Sequence, residues 1–134
     1  MKTIFSILLL ILSYNVTGQE IYYSPLTEHL KTGQKELINR TITIDKDVIT
    51  IKTAISEGYD IQTLKIVEKQ LNNDTNPPLL IYDCTSPDGI YPTILFIPQR
   101  EIISEILIIQ PSFLIEGEQE HFSFHLETRQ KILQ

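Results

Sequence analysis

From Thr41 onward the chain runs in period two, and that pattern constrains its fold more than any other feature. Thr41-Ile42-Thr43-Ile44 is followed by Asp45-Lys46-Asp47 and then by Val48-Ile49-Thr50-Ile51-Lys52-Thr53. Alternating β-branched and polar residues give a strand two unlike faces, whereas a helix would scatter the same residues around its axis. The segment therefore reads as a hairpin, with Ile42 and Ile44 sharing a face of its first strand and Ile49 and Ile51 sharing a face of its second.

The same period continues. Leu64 and Ile66 alternate with Thr63 and Lys65 in a third strand over residues 61–71, whose later part, Val67 to Leu71, also has helix-forming composition. Asn72 to Pro78 is a loop by its Asn, Asp and Pro content. Leu79–Thr85 and Ile90–Ile97 flank Ser86-Pro87-Asp88-Gly89, a strong hairpin signal because glycine supplies the left-handed residue that closes such a turn. Ile102–Ile109 makes a sixth strand, and Phe122, Phe124 and Leu126 mark a seventh. Residues 20–39 fit no single element. Short consecutive strands pair in order, so the expectation is an all-β fold: an antiparallel meander of six or seven strands. It forms an open twisted sheet, a half-barrel or a barrel, with a short helix allowed at either end.

The N-terminus has a different character. Met1-Lys2-Thr3 precedes an apolar run from Ile4 to Leu12 interrupted by Ser6, and Val16-Thr17-Gly18 offers a peptidase site, which predicts an export signal over residues 1–18 cut before Gln19. The run is shorter than the ~18 residues a membrane-spanning helix needs. No transmembrane segment is expected in the mature chain, and Cys84, the single cysteine, is too distant to carry a lipid anchor. Residues 19–134 are expected to form one small domain, with residues 19–35 a mobile arm and 128–134 a tail. A lone cysteine excludes an internal disulfide, which favours a bacterial periplasm or cell exterior. Without Lys2 the chain keeps 10 basic residues against 17 acidic ones, so nucleic acid is not an expected partner.

Candidate chemistry is sparse. His121 and His125 would stack on a helix but lie roughly 13 Å apart on a strand, too far to share a metal. Cys84 alternates with Leu80 and Tyr82 and sits beside Asp83, a setting for a packed thiol rather than a nucleophile. Asp45 and Asp47 lack the glycine and distal glutamate of a calcium loop. Ser86 and Ser104 are not in a nucleophile elbow. No metal, cofactor or catalytic residue is assigned.

A three-residue turn pairing Ser86 with Ile90 would put Cys84 opposite Pro92 and Tyr82 opposite Ile94. Leu79, Ile81, Leu95 and Ile97 would then share the other face as an apolar patch, a candidate surface for a ligand or partner. The expected function is that of an exported non-catalytic binding or accessory protein. It would hold an apolar small molecule, a protein partner or a second copy as a homodimer on its sheet. The alternative is a hydrolase whose acid and histidine residues converge only in three dimensions.

Overall fold

The computed structural model describes residues 19–112 and 114–127; residues 1–18, expected to be an export signal, and the expected tail from residue 128 lie outside them. The described residues form eight strands: β1 (Glu20–His29), β2 (Lys35–Ile44), β3 (Val48–Ile55), β4 (Gly58–Asn72), β5 (Leu79–Thr85), β6 (Pro92–Pro98), β7 (Glu105–Pro111) and β8 (Gln119–His125). Each pairs antiparallel with the next, and β1 pairs with β8, so the meander closes into a barrel. There is no helix among the described residues; in particular, none is long and apolar enough to cross a membrane. Val67–Leu71, despite its helix-forming composition, continues β4.

Eight strands enclose an interior about wide enough for side chains to fill. Ile42 faces Ile51 and Ile44 faces Ile49 across the β2–β3 ladder, and all four are buried. Leu64, Tyr82, Cys84, Leu95, Ile97, Ile106, Ile108, Phe124 and Leu126 complete the core around them. Thr41, Thr43, Thr50, Lys52 and Lys65 occupy the alternate, outward positions.

The closing strand comes from the stretch that fits no single element in sequence. In β1, Tyr22 faces Ile42 and Ser24 faces Arg40, but the register then shifts before Leu26 meets Leu37. Pro25, which has no N–H to give to a ladder, sits at that irregularity. Ser24 and Thr27, three apart, are consequently both buried. Four pairs, from Leu26 with His125 to His29 with Phe122, join β1 to β8. The segment expected as a mobile arm thus supplies a barrel strand.

The β5–β6 hairpin departs from expectation by one residue. Its turn holds four residues between Ser86 and Tyr91, whose N–H and C=O are bonded at 2.9 Å. The Asp88 carboxylate accepts from the Ser86 hydroxyl and from the Ile90 N–H, while Gly89 takes a φ of +81°. Tyr82 therefore faces Leu95 and Cys84 faces Thr93. A slip of one residue sends every β6 side chain to the opposite face, so Leu95 and Ile97 point into the core and Ile94 and Phe96 point out.

Candidate ligand cup at the open end of the barrel

Because the strands run up and down, the turns after β1, β3, β5 and β7 cluster at one end of the barrel. At that end the inward-facing series changes character. Arg40 extends the Ile42 and Ile44 series, Thr53 follows Ile49 and Ile51, Gln62 precedes Leu64, and Gln110 follows Ile106 and Ile108. These polar residues border a cavity of about 380 Å³ together with Asp60. The apolar part of its wall is Ile51, Ile55, Ile108, Phe122 and Phe124. A hollow of that volume falls within the range of small-molecule sites, about 300–1,000 Å³.

Arg40 is the charged group set into this wall. Its guanidinium carbon lies 5.2 Å from the centroid of the Phe124 ring, a cation–π distance. Nε donates to Thr53 Oγ1 at 3.3 Å and Nη1 to Thr27 Oγ1 at 3.2 Å, so two hydroxyls on different strands hold the planar group in place. Burial pushes the Arg40 pKa down, and the charges of Glu36 and Asp60 partly offset that. No carboxylate of the described residues forms an ion pair with it; the ion pairs found join His29 to Glu36 at 3.7 Å and His125 to Glu28 at 3.0 Å.

A polar rung crosses the barrel beside Arg40. Gln62 Nε2 donates to Gln110 Oε1 at 3.4 Å, and Gln110 Nε2 donates to Glu120 Oε2 at 3.4 Å, with the Ser112 hydroxyl on the other Glu120 oxygen at 3.3 Å. β4 and β7 are not neighbours in the barrel, so the Gln62–Gln110 bond spans its mouth. It separates the cup from a second hollow of about 350 Å³ under the β5–β6 turn, where Leu64, Tyr91 and Thr93 form part of the wall. On the opposite side His29 packs edge-on against Phe122, ring centroids 4.7 Å apart.

The residues singled out from the sequence are dispersed. Leu95 and Ile97 are 0% and 1% exposed inside the barrel, whereas Leu79 and Ile81 are half-buried on its outside, so the four make no common patch. His121, Ser123 and His125 share the outward face of β8, opposite Ile109, Leu107 and Glu105. There the Ser123 hydroxyl donates to Glu105 Oε2 at 3.1 Å and His125 pairs with Glu28, so serine and histidine are each engaged by a carboxylate rather than by one another. The Ser123 hydroxyl has no histidine against it, and at 2% exposure it is shut away from any substrate. Cys84 is 3% exposed and its thiol is pushed up to about 11 by burial first and by the Asp83 charge second.

Arg40, Gln62 and Gln110 escaped the sequence reading, although a signal existed. Each is a polar residue standing in phase with an apolar inward series. Comparison of the chain with protein-family models, with curated proteins and with solved structures finds no match.

Proposed function

We propose that the mature chain, from Gln19, is an exported, water-soluble binding protein that holds a small molecule in the cup at the open end of its barrel. The cup carries this reading: a ligand-sized hollow in which aromatic and aliphatic surface meets a few fixed polar groups, the usual make-up of a small-molecule site. Water around the barrel is supported by the distribution of polarity. Membrane barrels turn apolar residues outward and polar ones inward; here isoleucines fill the interior and threonines and lysines face out from β2 and β3, while Ile94, Phe96, Leu107 and Ile109 give β6 and β7 an apolar outer face. Export rests on the charged start, apolar run and Val16-Thr17-Gly18 site. β1 begins at Glu20, so cleavage before Gln19 leaves every strand whole.

The two rival readings have less support. A hydrolase built on acid and histidine residues would need an accessible nucleophile, whereas Ser123 is buried against Glu105 and His125 is paired with Glu28 instead. A partner surface at Leu79, Ile81, Leu95 and Ile97 would need those residues on one face.

A fragment screen by ¹H–¹⁵N NMR on the chain from Gln19 tests the reading. Binding fragments should shift the amides of Arg40, Thr53, Gln62 and Gln110 together. Shifts confined to the outer faces, or none at millimolar fragment, would remove the cup as a binding site. Intact-mass analysis of secreted material tests export, and a mass that includes residues 1–18 would refute the cleavage.

A further inference from the structure

We infer that the ligand of the cup carries a carboxylate or a similarly flat oxyanion that docks end-on against Arg40, with an apolar or aromatic body lying toward Phe122 and Phe124. The inference rests on the cup being a binding site and specifies what it takes.

Arginine has five N–H donors in one plane. Thr53 and Thr27 engage one at Nε and one at Nη1. That leaves an N–H on each terminal nitrogen for a two-pronged bond to an oxyanion, the arrangement guanidinium groups favour. The side chain has already lost its freedom to the two threonines and the Phe124 face, so a ligand would find the fork pre-set.

Charge points the same way. Burying a guanidinium costs free energy that a paired anion offsets, and no carboxylate of the described residues pairs with Arg40. Asp60, level with Arg40 across Thr53, lines the cup too, and Glu36 lies nearer the β1–β2 turn, but both carboxylates are exposed, where water and salt screen them. Arg40 is half-buried where they are exposed, so its charge is the less screened of the three. The volume sets the size of the guest: about 380 Å³ corresponds to roughly a dozen water-sized groups, which suits a short aryl or alkyl acid.

Three isosteric probes separate this inference from the broader reading: 3-phenylpropanoate, 3-phenylpropanol and 3-phenylpropylamine, titrated by calorimetry and NMR into the chain from Gln19 near neutral pH. The acid is expected to bind about tenfold or more tightly than the alcohol, the increment typical of a hydrogen bond to a charged group. Arg40→Met should erase that preference, weakening the acid far more than the alcohol. Arg40→Lys, which keeps charge and loses the fork, should reduce the preference; it also serves if the Met variant does not fold. Equal affinity of acid and alcohol, tighter binding of the amine, or a preference unchanged in a folded Arg40 variant overturns the role of Arg40 while the cup stands. Failure of all three probes to shift any cup amide at millimolar concentration overturns both.

Discussion

Tyr82 stands directly opposite Leu95 on the β5–β6 ladder, and both side chains point into the barrel at 2% and 0% exposure. The pairing fixes which half of β6 is core. Leu95→Lys would force an ammonium into that packed interior, a cost that exceeds the stability of a small domain when no partner is near. The variant should not fold, as read by circular dichroism. Leu95→Ala should cost about 2–5 kcal/mol. Phe96→Lys, one residue along and facing outward, should stay folded with a much smaller loss. A folded Leu95→Lys chain beside an unfolded Phe96→Lys chain would reverse the register.

Alkaline pH should weaken the barrel. Burial raises Tyr82 from 10.0 to about 12, helped by the Glu20 charge, and raises Cys84 from 9.0 to about 11, helped by Asp83. Tyr22 moves the same way through burial and its hydrogen bond to Glu20. A raised folded-state pKa means that the folded chain holds the proton more tightly. The resulting stability is complete below the unfolded values and is lost as pH rises through the folded ones. Stability should therefore be flat from about pH 7 to 8 and fall between about pH 9 and 12 by an amount on the order of a few kcal/mol, read as a falling thermal midpoint. Cys84→Ala should remove the earliest part of that fall. A midpoint that does not change across this range would place these groups in water.

Cys84 should be nearly inert in the folded chain. It is 3% exposed, and a pKa of about 11 leaves little thiolate to react near neutrality. A disulfide reagent at pH 8 should label it on the order of a hundredfold faster in denaturant than in buffer, since two pKa units alone change the thiolate fraction by that factor. Equal rates in both states would show an accessible thiol.

Removal of residues 19–31 should destroy the monomer. β1 is hydrogen-bonded to both β2 and β8, so its loss opens two strand edges at once. Open edges recruit other chains. Sedimentation should show aggregates, and a soluble folded monomer would mean that closure contributes little.

Local pattern determined much of this protein. The Ile42, Ile44, Ile49 and Ile51 set, the all-β meander and the burial of Cys84 follow from side-chain alternation, because a strand turns successive residues to opposite faces whatever surrounds it. The left-handed Gly89 is equally local. Tertiary structure decided the rest. β1 was illegible because Pro25 and the register shift break its period, so that Ser24 and Thr27 both face inward; only pairing with β2 and β8 makes it a strand. The face of β6 hung on one turn residue, which the Asp88 bonds to Ser86 and Ile90 settle. The cup depends on closure most of all. Arg40, Gln62 and Gln110 belong to three strands that are not neighbours, and alternation places each of them inward without bringing them together. The curl of the sheet does that, because eight twisted strands that bury one face against themselves must meet at their edges, and their polar inward residues then converge at the same rim.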